Sequence, residues 1–209
     1  MDTMHLICTD LEGVFVPEIW ISVAERTGIE ELKLTTRDIS DYDVLMKRRL
    51  SILNEKKLKL HDITSVIATM DPLEGALEFL NWLRSYLPVI VVSDTYVQFA
   101  GPLMEKLGRP ALLCNTLTIG KDGAILGYRL RQKDGKRQVA LSLKHLNYNV
   151  IAVGDSYNDI SMLKEADTGI LFNPPENIKD QFPEFLVTHT YGELKTIIKE
   201  AVEGNANLG

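Results

Sequence analysis

Two short apolar runs in this chain stop at aspartates. Leu6-Ile7-Cys8-Thr9 ends at Asp10, and Asn149-Val150-Ile151-Ala152-Val153 passes through Gly154 into Asp155. A run of that length without polar alternation marks a strand buried on both faces, the kind found in parallel sheets covered by helices. In such sheets the ligand crevice lies just beyond the carboxyl ends of the strands. The first run places Asp10 and Glu12 there, one residue apart and followed at once by Gly13. A carboxylate so held can coordinate a hard cation or attack an electrophile. The second run brings Asp155 and Asp159, on either side of the turn Gly154-Asp155-Ser156-Tyr157-Asn158-Asp159. If the two strands are neighbours, four acidic groups meet, and closely spaced like charges cannot all stay ionised without a cation. Mg²⁺ is the expected cofactor, because it prefers oxygen ligands and completes its shell with water and substrate phosphate.

Between Val16 and about Met70 the apolar residues recur at three- and four-residue steps: Ile19, Val23 and Ala24, then Val44, Leu45, Leu50 and Leu53, then Ile63, Val66 and Ile67. That spacing is helical, and no strand pattern interrupts it. It predicts a helical cap over residues 16–70, inserted into a core of residues 1–15 and 71–209. After Pro72 the pattern predicts a helix over 73–85 and a strand over 89–92, with Ser93-Asp94-Thr95 opening the next helix as an N-cap cluster. A hairpin follows, with strands 117–119 and 125–128 about Lys121-Asp122-Gly123. Then come a helix over 136–146, the strand into Asp155, a helix over 160–165, a strand over 168–172 and a closing helix over 191–201. Strands alternating with helices define an α/β chain, a doubly wound parallel (Rossmann-like) sheet with a small inserted helical cap and a β-hairpin.

Composition narrows the function classes. The 209 residues, 45% hydrophobic, suit one globular domain with a small insertion. A net charge of -6 argues against a nucleic-acid partner, which requires a basic surface. No run approaches the roughly 18 apolar residues of a membrane span, and the amino terminus lacks a signal-peptide pattern. The expected location is therefore cytoplasmic, with no membrane partner. Cys8 and Cys114 lie in apolar stretches and read as reduced core thiols. His5, His61, His145 and His189 show no paired spacing for zinc.

Four separated pieces stand in order: Asp10-Leu11-Glu12-Gly13-Val14, Ser93, a lysine near the start of a helix (Lys133 or Lys136), and Gly154-Asp155-Ser156-Tyr157-Asn158-Asp159. Together they resemble the haloacid dehalogenase superfamily of phosphotransferases, over nearly the whole chain. Within it the chain looks like a phosphoserine phosphatase, from the helical segment behind the first motif, the glutamate of Val16-Pro17-Glu18, and Met46-Lys47-Arg48-Arg49-Leu50. The Asp-Leu-Glu-Gly-Val motif, Pro17-Glu18-Ile19-Trp20 and Arg131-Gln132-Lys133-Asp134-Gly135-Lys136-Arg137-Gln138 are similar to the subgroup that also transfers phosphate to homoserine.

The resemblance implies a role for each matched residue. Asp10 is the nucleophile that forms an aspartyl phosphate. Glu12 is the general acid and base, a task worth roughly 10²–10⁴-fold in rate. The family usually has aspartate at this position, so Glu12 is a departure, and positioning errors of about 1 Å can cost 10²-fold. Asp10, Asp155 and the backbone carbonyl of Glu12 are the expected Mg²⁺ ligands, with Asp159 orienting them from behind. Ser93 and Asp94 contact the phosphoryl end, although Ser93 alone reads equally as a helix cap. Asn158 contacts substrate or phosphate. The lysine neutralises phosphoryl charge, and Lys136 matches the family position better than Lys133. Glu18 and Arg49 match the positions for the ammonium and carboxylate of a phosphorylated amino acid, although Arg49 in isolation also reads as a solvent-facing helix charge. The implied partners are thus small molecules, phosphoserine with homoserine as a further acceptor, in an assembly expected to be a homodimer. The alternatives are a phosphatase for another small phosphorylated metabolite and a non-catalytic phosphate- or metal-binding module.

Overall fold

In a computed structural model, which describes residues 4–35, 38–39 and 41–206, the apolar runs become strands. The chain runs β1 (Met4–Thr9), α1 (Ile19–Thr27), a 3₁₀ turn (Glu30–Lys33), α2 (Tyr42–Glu55), α3 (Leu60–Ala68), α4 (Ala76–Tyr86), β2 (Val89–Tyr96), α5 (Val97–Lys106), β3 (Leu112–Ile119) and β4 (Ile125–Arg129). It continues with α6 (Gly135–His145), β5 (Tyr148–Gly154), a 3₁₀ turn (Tyr157–Asp159), α7 (Ile160–Glu165), β6 (Thr168–Phe172), α8 (Glu176–Gln181), β7 (Leu186–Thr188) and α9 (Tyr191–Ala206).

The strands form one seven-stranded sheet in the order β4-β3-β2-β1-β5-β6-β7. Every neighbouring pair is parallel except the β3–β4 hairpin. The chain first adds β2, β3 and β4 on one side of β1, then crosses back to add β5, β6 and β7 on the other. The order therefore reverses between β1 and β5, and the crevice at such a switch point is where open α/β sheets bind ligands. Thr9 pairs with Val153, so Asp10 and Asp155 leave the sheet side by side.

Alternate residues of β1 and β5 feed two cores. Ile7, Ile151 and Val153 join a large cluster with α4, α5 and α9 that also takes in Val23, Met46, Ile63 and Ile67 from α1–α3. Leu6, Cys8, Val150 and Ala152 face a smaller cluster with Val139, Leu143, Met162 and Ile178 from α6–α8. Burial on both faces is why these strands read as continuous apolar runs. Cys8 and Cys114 are free thiols. Among the described residues no helix is long and apolar enough to cross a membrane.

Several boundaries differ from the sequence-based expectation. Ser93-Asp94-Thr95 does not open α5; β2 extends through it to Tyr96, because after an irregularity the pairing with β3 resumes at Tyr96 and Asn115. The Asn115 side-chain amide also donates to the Asp94 carbonyl at 2.9 Å. Helix α5 starts at Val97 without a side-chain cap. The helical pattern after Val16 begins only at Ile19, α4 begins at Ala76 rather than Leu73, and α9 runs past Ala201 to Ala206.

Two glycines at the switch point have no room for a side chain. Gly13 has φ +74°, and a Cβ there would run into the Asp155 carboxyl. A Cβ on Gly154 would run into the Asp159 side chain, whereas Gly101 in α5 faces open space. Gly101→Ala is thus expected to stabilise the fold by about 0.5–1 kcal/mol, the ordinary gain inside a helix. Gly154→Ala is expected to cost at least about 1–3 kcal/mol through overpacking. Urea denaturation midpoints of the two variants check both signs.

Candidate active site

The loop leaving β1 is folded tightly on itself. Phe15 and Val16 donate their N–H groups to the Leu11 carbonyl, and Gly13 donates to that of Val16. This turn carries Glu12 back to the start of α1, where its Oε2 accepts the Ile19 N–H at 2.8 Å. Glu18, the N-cap residue of α1, makes no side-chain cap. The Glu12 carboxyl therefore serves an otherwise orphaned helix N–H and is fixed by it. Burial, with the Glu18 carboxylate next in weight, pushes Glu12 up to about 8.

Asp10 is 3% exposed, Lys136 2% and Asp159 0%. Lys136 enters from the first turn of α6 and reaches Asp159 Oδ1 at 2.6 Å, Asp10 Oδ2 at 3.0 Å and Asp94 Oδ2 at 3.9 Å. Burial alone would lower the lysine pKa, but Asp10, Asp159 and Asp94 outweigh it and raise it well above the ordinary value. Lys133 is exposed. Asp10 Oδ1 accepts the Leu11 N–H at 2.7 Å. Burial, then Asp159, push the Asp10 carboxyl well above its usual range despite Lys136. Burial, then Asp159 and Glu18, carry Asp155 up to about 7. One buried ammonium therefore faces an excess of carboxylates.

Carboxylate oxygens of Asp10, Asp155 and Asp159 lie within 4.8 Å of one another. Both Asp159 oxygens are engaged, Oδ1 by Lys136 and Oδ2 by the N–H groups of Asp155 and Ser156 at 3.0 and 3.1 Å. Asp155 Oδ1, in contrast, is buried with no hydrogen-bond partner among the described residues. Asp155 is accordingly the carboxylate with an unengaged oxygen to offer, it lies against Asp10, and an all-oxygen donor set suits a hard cation.

Above these groups lies a cavity of about 260 Å³, lined by Glu12, Glu18, Trp20, Tyr42, Arg49 and Ser93 among others. Ser93 is buried, and its Oγ accepts the Thr95 N–H at 3.2 Å. Asp94 and Asn158 meet at the rim, with the Asn158 amide donating to Asp94 Oδ2 at 2.9 Å. Arg49 is not a solvent-facing helix charge: it is 6% exposed, donates to the Leu34 carbonyl at 2.7 Å, and lies 4.6 Å from the centroid of the Trp20 ring. Ten of the residues singled out from the sequence border or brace this one crevice, and the alternative lysine, Lys133, does not. Sequence reasoning did not single out the walls Trp20 and Tyr42. Trp20 stands inside the quoted Pro17-Glu18-Ile19-Trp20 segment, but its contact with Arg49 joins two helices and has no local signature.

Comparison with known proteins agrees with this architecture. The chain is 59% identical over 205 residues to "Phosphoserine phosphatase ThrH" of Pseudomonas aeruginosa, covering 98% of this chain and 100% of that protein. It is 57% identical over 192 residues to a phosphoserine phosphatase of Pseudomonas syringae pv. tomato, covering 92% of this chain and 81% of the relative. Among solved structures it is similar to a phospho-aspartyl intermediate analogue of phosphoserine phosphatase, with TM-score 0.72 and 26% identity over 94% of this chain and 98% of the other. The family model for haloacid dehalogenase-like hydrolases matches residues 6–164, from β1 through the Lys136 site to the turn that carries Asp155 and Asp159. On that match, and on relatives nearly three-fifths identical along almost the entire chain, this protein belongs to the haloacid dehalogenase-like hydrolases and is an enzyme.

Proposed function

We propose that this hydrolase removes the phosphoryl group of phosphoserine in two steps, through an aspartyl phosphate on Asp10, with Mg²⁺ as cofactor and residues 16–70 as a cap over the site. The observation that carries the reading is the buried Lys136 ammonium, 3.0 Å from Asp10 and 2.6 Å from Asp159, at the sheet's switch point beside Asp155 and Glu12. The naming of the 59% identical relative supports the choice of substrate.

In the first step Asp10 attacks phosphorus, the bond from phosphorus to the seryl oxygen breaks, and Glu12 gives its proton to that oxygen. A carboxyl raised to about 8 holds a proton at neutral pH, as a general acid must. In the second step the Glu12 carboxylate takes a proton from water as the water oxygen attacks phosphorus. The bond to Asp10 then breaks and inorganic phosphate leaves. Lys136 and the Ser93 hydroxyl oppose the charge on the phosphoryl oxygens. Asp10, Asp155 and the Glu12 carbonyl would hold Mg²⁺, which supplies further neutralisation of phosphoryl charge. An alcohol in the water's place receives the phosphoryl group by the same second step. Transfer to homoserine rests on the subgroup resemblance.

Outside the phosphoryl end, Arg49 and Glu18 offer one cation and one anion to the carboxylate and ammonium of the amino acid. Arg49→Ala is expected to lower kcat/KM for phosphoserine about 10- to 150-fold, equivalent to the roughly 1.5–3 kcal/mol of a charged hydrogen bond. Phosphoethanolamine, which lacks the carboxylate, should lose far less. Phosphate release from the two esters measures this, and equal losses would remove Arg49 from carboxylate recognition.

The acidic excess also fixes a pH dependence. Asp155 rises in the fold from the ordinary 3.8 to about 7, so between those values the folded state holds more protons than the unfolded one. Without divalent cations, stability is then fully present below about pH 4 as far as Asp155 is concerned and is lost as pH rises to about 7. Mg²⁺ binds the ionised pair and is expected to restore stability most above pH 7. Thermal melts in chelator and in millimolar Mg²⁺ across this range check the sign; a Mg²⁺ effect that shrinks with rising pH would contradict it.

A further inference from the structure

Arg49 is a buried cation whose contacts go to neutral groups. Its Nη2 donates to the Leu34 carbonyl at 2.7 Å and its Nη1 lies 3.7 Å from Met46 Sδ. Its Nε is buried with no hydrogen-bond partner among the described residues. Such a group needs either a partner or a support, because an unpaired buried charge is costly. The support is Trp20, whose ring centroid lies 4.6 Å from the guanidinium carbon. The indole is set in turn by buried Phe99 of α5, at 5.5 Å between ring centroids and 75° between planes. Trp20 and Arg49 belong to α1 and α2, and both line the cavity over Asp10. A flat cation on an indole face is held in its plane without using its N–H groups, so the Nε–H is left unpartnered beside the cavity.

We infer that Trp20 is a positioning residue for substrate specificity: its ring, backed by Phe99, orients the Arg49 guanidinium so that the unpartnered edge meets the carboxylate of the substrate. This rests on the phosphoserine reading above, and it assigns Trp20 a role in discriminating substrates and none in the chemical step. Aromatic character is therefore what matters at position 20. Phenylalanine keeps a π-face for the guanidinium, while leucine fills space without one.

The test compares phosphoserine with phosphoethanolamine for Trp20→Leu, Trp20→Phe and Arg49→Ala. Trp20→Leu is expected to lower the ratio of kcat/KM for the two esters by about tenfold, a change the size of a well-formed cation–π contact, carried mainly by a higher KM for phosphoserine. Trp20→Phe is expected to recover most of that ratio. If Arg49→Ala collapses the ratio and Trp20→Leu leaves it unchanged, the positioning role is overturned while the phosphoserine reading stands. If Arg49→Ala leaves the ratio unchanged, Arg49 does not recognise the carboxylate and the inference is overturned with it, whereas failure of the unaltered enzyme to release phosphate from phosphoserine overturns the phosphoserine reading itself. A second measurement holds even where Trp20→Leu folds poorly. The chain has two tryptophans, so Asp10→Asn combined with Trp82→Phe leaves Trp20 as the only indole in a protein that binds without turnover. Phosphoserine is expected to change its emission and phosphoethanolamine to leave it nearly as it was; identical responses to both would overturn the proposal.

Discussion

The site depends on one buried ammonium. Lys136 Nζ is held at 2.6 Å by Asp159, at 3.0 Å by Asp10 and at 3.9 Å by Asp94, which ties α6, β1, β2 and the turn after β5 together at a single point. Removing one partner of such a buried pair typically costs about 3–5 kcal/mol. The arrangement is nonetheless unbalanced, since Lys136 and Arg49 cannot neutralise Asp10, Asp155 and Asp159 together with nearby Glu12 and Glu18. A fold built for stability alone would not retain that excess. Its retention marks a site where local rules give way to chemistry.

Topology makes the crowding possible. Because β1 and β5 pair in register from Met4 with Tyr148 to Thr9 with Val153, both aspartates emerge on the same rim, and the chain's reversal opens the crevice between them. Gly13 lets the loop after β1 approach the Asp155 side chain, and Gly154 lets the turn after β5 fold back on its own Asp159. The helices from α1 to α3 share the main hydrophobic cluster with α4, α5 and α9. The place of the Glu12 carboxyl follows from the tight turn after β1, which brings it to the Ile19 N–H at the start of α1.

Much of this was legible in the residues. The bounds of α7 and β6 follow from apolar run and spacing alone, and the clustering of Asp10, Glu12, Asp155 and Asp159 follows once β1 and β5 are taken as neighbours. Ser93-Asp94-Thr95 misled because polar residues before a helix look like a cap, whereas here strand pairing resumes beyond them. The first half of β3 escaped notice because Cys114-Asn115-Thr116 breaks its apolar character. Strand β7 has only three residues, too few for a pattern, and α8 only six, lying just past Pro174-Pro175. The choice between Lys133 and Lys136 as the residue beside Asp10 needed burial, which nothing local distinguishes three residues apart. Arg49 needed it too, since its neighbours Arg48 and Lys47 carry the same charge and face solvent.

The central claim is that Asp10 becomes covalently phosphorylated, and the direct measurement is to catch that species. Glu12→Gln lacks a base for the second step, so rapid acid quenching of this variant with ³²P-labelled phosphoserine is expected to leave label on the protein. The label should map to the peptide containing Asp10 and be released by hydroxylamine, as an acyl phosphate is. Hydroxylamine-stable label on Ser93, or turnover with no labelled protein at any quench time, would contradict the account.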